Sequence, residues 1–283
     1  MNIKKVAVIG GGTMGNGIAH VFALNNFDVY LTETSEALLD RAINTITSNL
    51  DRQVKKQIIT DDQKNKVLER IIRTTGIEKI PTDVQLIIEA IFENKEVKLT
   101  LFKELQDRIN PDCIFASNTS SISITELSAV CRPDKFIGMH FMNPVPVMKL
   151  VEVIRAYSTS DETFNTIKEL SYKLDKEPVE VFDYPGFISN RILMPMINEA
   201  IFALMEGVAS KEAIDSVMKL GMAHPMGPLT LADFIGLDVC LAIMNVIFEG
   251  YNDSKYRPCP LLKKMVAANK LGRKTGEGFY KYN

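Results

Sequence analysis

Cysteine and histidine are scarce in this 283-residue chain, and neither is arranged for metal or redox work. The four cysteines, Cys113, Cys131, Cys240 and Cys259, form no CxxC pair. They read as ordinary reduced thiols, which fits an intracellular, cytoplasmic protein. His20, His140 and His224 make no HxxxH or HExxH pattern, so no metal site is expected. No apolar run reaches the length of about 18 residues that a transmembrane helix needs. The stretch Val6 to Ile9 is too short for a signal-peptide core and leads straight into glycines. Neither sign of charge is in large excess. The net charge is −2 and the pI near 6.0, which disfavours nucleic acid or a membrane surface as partner. There is no internal repeat and no low-complexity stretch. What remains is the composition of an ordered globular protein, 46% hydrophobic and 24% charged.

The pattern begins with a buried-type strand over 3–9, a helix over 13–26 and a strand over 28–33. Two helices follow over 36–57 and 61–70, with Thr60 or Asp61 capping the second. Short apolar runs then recur at 86–89, 113–117, 136–140, 148–154 and 179–182, with helical stretches at 95–109 and 162–174 between them. Strand–helix alternation implies an α/β fold, a Rossmann-type doubly wound sheet, with some antiparallel pairing among the later runs. At Pro185-Gly186 a breaker pair ends this pattern. Helices are expected over 187–206, 211–219, 229–249 and 261–269. The reading is therefore two domains: 1–184, binding a dinucleotide, and an all-α C-terminal domain, 185–283.

The first turn, Gly10-Gly11-Gly12-Thr13-Met14-Gly15, satisfies GxGxxG. Gly10 permits the tight turn, Gly12 lets a pyrophosphate approach the backbone, and Gly15 lets helix and strand pack closely. The diphosphate would sit at the helix N-terminus, against free N–H groups. Glu33 ends the next strand, 18 residues after Gly15. A carboxylate there accepts bonds from ribose hydroxyls and repels a 2′-phosphate, which favours NAD and leaves NADP open. FAD uses the same turn, and a purely structural glycine turn is the remaining alternative.

Two later residues attract attention. Glu152 lies in a run, 148–154, whose two faces are both apolar, where a carboxylate is costly unless paired. A solvated Glu on an edge strand is the alternative. His140 ends an apolar run, and the tip of a strand in an open sheet faces the ligand crevice. A satisfied structural histidine is the plain alternative, and it suits His20 and His224 better. Oxidising a carbinol needs a group to take the hydroxyl proton, and imidazole, with an ordinary pKa of about 6.5, suits that task. A carboxylate beside it would fix the tautomer, so His140 and Glu152 make chemical sense as a pair.

At this point longer motifs accumulate. They are the glycine turn, Ala116-Ser-Asn-Thr-Ser-Ser121, Gly138-Met-His-Phe-Met-Asn-Pro-Val-Pro-Val-Met-Lys-Leu-Val-Glu152, Pro185-Gly-Phe-Ile-Ser-Asn-Arg191, His224-Pro-Met-Gly-Pro228 and Leu271-Gly-Arg-Lys-Thr-Gly-Glu-Gly-Phe-Tyr280. In this order they make the chain resemble the L-3-hydroxyacyl-CoA dehydrogenases, especially the short bacterial 3-hydroxybutyryl-CoA enzymes. The resemblance implies NAD-dependent, reversible oxidation of a short (S)-3-hydroxyacyl-CoA. It implies His140 as base and acid, Glu152 as its partner, and Ser120 and Asn190 at the reacting oxygen. It puts Thr13, Met14 and Asn143 among the cofactor contacts, with Glu93, Lys98 and Ser120 near the nicotinamide half. It gives Arg52 and Lys56 to the CoA nucleotide, and a homodimer through the C-terminal domain, for which apolar helices over 229–247 could supply the interface. The chain departs from many relatives at Met142, where Phe is common, and at Thr32-Glu33.

Several of these residues have plainer readings. Ser120 and Asn190 suit turns and helix caps. Glu93 and Lys98 could be surface charges at a helix start. Arg52, Lys55 and Lys56 share a helix face opposite Ile43, Ile46, Leu50 and Val54, as any solvated basic face would. A dehydrogenase of free hydroxy or sugar acids, or a non-catalytic NAD-binding protein, are the competing functions.

Overall fold

In this computed structural model residues 3–282 are described. Residues 1, 2 and 283, the outer ends of the two expected domains, lie outside them. The chain divides into two compact units between Asp183 and Tyr184.

The first unit is built on alternation. Strand β1 (Lys5–Ile9) leads through the glycine turn into α1 (Thr13–Leu24) and β2 (Asp28–Glu33). Val6 to Ile9 are all buried, as a strand covered on both faces requires. Helix α2 (Glu36–Lys55) is capped by Ser35 and turns Leu39, Ala42, Ile46 and Leu50 into the core. Helix α3 (Asp61–Glu69) is capped by Thr60, not Asp61. Gln63 N donates to Thr60 Oγ1, and Gln63 Oε1 accepts from Thr60 N, a reciprocal capping box.

Next comes β3 (Ile71–Thr75), which the sequence pattern does not reveal. It follows α3 after one residue, and two of its five side chains are exposed. Pairing with β2 at the sheet edge makes it a strand. The order continues through β4 (Leu86–Glu89), α4 (Lys95–Arg108), β5 (Ile114–Ser117), the short α5 (Ile124–Ser128), β6 (Phe136–Phe141), β7 (Leu150–Arg155), α6 (Asp161–Lys173) and β8 (Glu177–Phe182).

The sheet order is β3-β2-β1-β4-β5-β6-β7-β8. Antiparallel pairing is confined to β6–β7; β8 returns parallel to β7 after α6. Between β1 and β4 the chain reverses its direction of travel across the sheet, and the C-terminal ends of those two strands open a crevice. One buried cation braces the far side. Arg132 donates to the carbonyls of Asn110 and Cys113 and to Gln106 Oε1, with its guanidinium 3.9 Å from the Phe115 ring centre.

The second unit is helical: α7 (Ser189–Met205), α8 (Lys211–Gly221), α9 (Pro228–Ile235), α10 (Leu237–Tyr251) and α11 (Pro260–Ala267). The single helix expected over 229–249 is two. Gly236, at φ +105°, breaks it, and α9 and α10 meet at 98°. Leu229, Leu237, Ile243, Met244 and Ile247 fill this unit's own core, so they do not offer a dimer face. The carboxylate of Asp233 accepts from Phe279 N, Tyr280 N and the Tyr282 hydroxyl. A Cβ at Gly278 would lie 1.9 Å from Asp233 Oδ1. The 271–280 motif is thus scaffold for α9. No single helix among the described residues is long and apolar enough to cross a membrane.

Candidate active site

The glycine turn is forced by its surroundings. Gly10 has φ +97°, and a Cβ there would come within 2.6 Å of Ala90 O. A Cβ on Gly15 would sit 1.7 Å from Gly10 O, so only glycine lets α1 close on the turn. Gly12 differs: its Cβ would meet nothing within 4 Å, which leaves its face open to a ligand. Gly11 is constrained too: a Cβ there would lie 2.8 Å from Ala42 Cβ. Gly11 N donates to Glu33 Oε1 at 2.6 Å, and Thr34 N donates to Oε2 at 3.1 Å. This holds the Glu33 carboxylate beside the turn.

Glu33, Gly10 and Gly12 line a cavity of about 790 Å³ whose other walls include Leu38, Ile77, Phe92 and Leu101. A carboxylate beside an apolar wall and an open glycine face has the chemistry a dinucleotide needs. The apolar wall comes from four separate segments and had no signal in the sequence. Thr13 and Asn143 line a smaller neighbouring cavity of about 340 Å³, together with Arg41, a cation the sequence analysis did not select. Met14 packs partly against the sheet core.

Beside the cavity, charge is buried. Lys98 is 1% exposed and bonds Glu89 Oε1 at 2.5 Å and Glu93 Oε2 at 3.1 Å. The surface-charge reading of Lys98 is therefore wrong; it is buried against Glu89 at the end of β4 and Glu93 in the loop that follows. Glu93 also accepts from the Thr119 hydroxyl, from Ser120 N at 3.0 Å and from Ser121 Oγ at 3.2 Å. Burial opposes ionisation of Glu93, but Lys98 and then Thr119 outweigh it and hold the carboxyl below its ordinary value. Burial pushes the Glu89 carboxyl up, opposed first by Lys98. Sequence reasoning missed Glu89, which ends an apolar strand much as Glu152 interrupts one.

Ser120 follows β5 in a turn held at both ends. Glu93 holds one end; at the other, Asp183 Oδ2 accepts from Ser123 Oγ at 2.7 Å and from Thr125 N at 2.8 Å. Asn118 Oδ1 accepts from Phe141 N, linking this turn to the end of β6.

On β6, His140 lies directly opposite Glu152 of β7 in the antiparallel register. His140 Nδ1 is 2.7 Å from Glu152 Oε2, and Glu152 is fully buried. The solvated-edge alternative for Glu152 fails, because β8 and α6 cover β7. With the Nδ1 proton donated to the carboxylate, Nε2 is left as the basic nitrogen; this tautomer follows from the partner.

Asn190 lies in the first turn of α7, in the second unit, and is buried. Arg52 is exposed and bonds within its own helix, to Asn49 Oδ1 and Ser48 O. Lys56 is one residue past the end of α2. His20 is fully buried, yet neither ring nitrogen has a hydrogen-bond partner among the described residues, unlike the satisfied histidine expected. Burial pushes its pKa down to about 4. The four cysteines are unpaired, and burial drives Cys113 and Cys240 up to about 12.

The comparisons with known proteins agree along the whole chain. The family "3-hydroxyacyl-CoA dehydrogenase, NAD binding domain" matches residues 5–184, and "3-hydroxyacyl-CoA dehydrogenase, C-terminal domain" matches 186–282. The chain is 57% identical to a 3-hydroxybutyryl-CoA dehydrogenase of Bradyrhizobium diazoefficiens, over 99% of this chain and 96% of the relative. It is 45% identical to the human mitochondrial hydroxyacyl-coenzyme A dehydrogenase, over 99% and 91%. The crystal structure of (S)-3-hydroxybutyryl-CoA dehydrogenase from Ralstonia eutropha superposes with a TM-score of 0.97, at 48% identity and full coverage of both chains. The glycine turn, the Glu33 cavity and these matches together make the first unit an NAD-binding domain, and the chain belongs to the 3-hydroxyacyl-CoA dehydrogenase family.

Proposed function

We propose that this enzyme catalyses the reversible, NAD-dependent oxidation of (S)-3-hydroxybutyryl-CoA to acetoacetyl-CoA. The observation that carries the reading is the buried His140–Glu152 pair, with Nδ1 and Oε2 2.7 Å apart on neighbouring strands. Bound NAD supplies the hydride acceptor. His140 Nε2 takes the 3-hydroxyl proton as the carbonyl forms, and returns it in reduction. Glu152 accepts the Nδ1 proton throughout, keeps the ring in one tautomer and offsets the imidazolium charge. Ser120, in a turn held by Glu93 and Asp183, donates to the substrate 3-oxygen; Asn190 joins it on the strength of the family motif. The four-carbon substrate rests on the relatives named for it.

Arg52 and Lys56 are assigned the CoA phosphates on the family resemblance and on their basic helix end. A homodimer is assigned to the second unit, where Val217, Leu220, Met222 and Phe234 are exposed apolar residues. The four free thiols favour a cytoplasmic location.

The test is turnover with NADH of acetoacetyl-CoA, longer 3-oxoacyl-CoAs and free oxo acids. The expected order is acetoacetyl-CoA first and free acids negligible. Preference for a free acid would overturn the substrate assignment, and NADH binding with no turnover of any of them would overturn the enzyme reading.

A further inference from the structure

Glu89 is fully buried at the C-terminal end of β4 and accepts three hydrogen bonds. Oε1 accepts from Lys98 Nζ at 2.5 Å and from Ile91 N at 2.7 Å; Oε2 accepts from Ser117 Oγ at 2.6 Å. The parallel register puts Ser117 of β5 beside Glu89, so that bond is built into the sheet. Each donor belongs to a different part of the site. Ile91 lines the dinucleotide cavity. Lys98 bridges to Glu93, which holds the Ser120 turn. Ser117 Oγ in turn accepts from Thr119 N at 3.2 Å. A buried carboxylate costs stability unless donors surround it, and here the donors converge from the cavity wall, from α4 and from the end of β5.

We propose that Glu89 is a positioning residue for the nicotinamide side of the site, fixing Ile91, Lys98 and the Thr119–Ser121 turn in one arrangement. This rests on the reading that Ser120 and Glu93 flank the reacting centre. All three partners of Glu89 are donors, so the ionised carboxylate satisfies every one. An amide of the same shape serves them less well: with its oxygen toward Lys98 and Ile91 it carries no charge to pair with the Lys98 ammonium, and its N–H₂ group turns the Ser117 hydroxyl from donor to acceptor. Glu89 is fully buried, so its effect on a ligand travels through the groups it holds.

The test uses Glu89→Gln and, because a buried substitution of this kind could prevent folding, the milder Ser117→Ala, which removes one donor and keeps the carboxylate. NADH affinity is read by fluorescence titration, and kcat and both KM values with acetoacetyl-CoA. A hydrogen bond to a charged group is worth enough that losing one is expected to raise the NADH Kd roughly tenfold in Glu89→Gln and severalfold in Ser117→Ala. kcat should fall in both, and the KM for acetoacetyl-CoA at saturating NADH should change less than twofold. A purely structural role would lower thermal stability and leave these constants alone. Folded variants that bind and turn over NADH like the parent overturn the proposal; if Glu89→Gln does not fold, Ser117→Ala decides. Ser120→Ala is run in parallel. If it loses turnover while the other variants are normal, only the positioning role fails. If it too is normal, the reading beneath it fails and takes the proposal with it.

Discussion

His20 offers a quantitative test of how this fold handles a buried base. Its ring is fully buried in α1 without a hydrogen-bond partner among the described residues, and its pKa is pushed down to about 4. Burial is the main cause; the Gln53 side chain opposes it and the Lys176 charge adds to it. In the unfolded chain the ring returns to an ordinary value of about 6.5. The unfolded state therefore binds the proton more tightly, and folding stability falls as pH drops. No cost arises above about 6.5; it grows as pH falls toward 4 and is complete below. A depression of about two and a half units corresponds to roughly 3 kcal/mol from this one group. His20→Leu removes the titration and keeps an apolar side chain of similar bulk. Urea unfolding of parent and variant at pH 7.5, 6.5, 5.5 and 4.5 reads the difference directly. The variant's advantage should be small and constant above pH 6.5 and should widen by about 3 kcal/mol toward pH 4. Acid loss from carboxylates is common to both proteins and cancels in the difference. A gap that stays constant across this range would refute the buried, neutral histidine.

Three further outcomes are expected. His140→Gln should lower kcat roughly 100-fold or more, the usual weight of general acid–base catalysis, with NADH affinity within about twofold; near-normal turnover would remove His140 from the mechanism. The glycines should separate in a thermal-melt and NADH-binding comparison. Gly15→Ala has no room for its Cβ and should cost both stability and binding. Gly12→Ala should fold normally, because its Cβ meets open space, yet bind NADH more weakly; unchanged binding would mean the diphosphate does not approach Gly12. Charge reversal of Arg52 and Lys56 together should raise the KM for acetoacetyl-CoA several-fold with kcat little changed, and an unchanged KM would return both to a plain solvated surface.

What the sequence determined by itself was local. A strand, a glycine turn and a helix are neighbours in the chain, and their geometry is imposed by short-range sterics, so the turn and Glu33 were legible. Apolar runs of the right length gave the buried strands, and the change of period near residue 185 gave the helical half. The same locality explains the errors. β3 is five residues of mixed exposure and becomes a strand only by pairing with β2. The break at Gly236 depends on φ +105°, which an apolar run does not report. Lys98 and Glu89 looked like a surface charge and a strand end because the donors and acceptors that bury them, Ser117 and Glu93 among them, come from other elements. His140 and Glu152 could be named as candidates for one pair, but only the antiparallel register of β6 and β7 brings them to 2.7 Å. A pattern along one strand carries no information about which residue faces it across the sheet; that is decided by tertiary pairing.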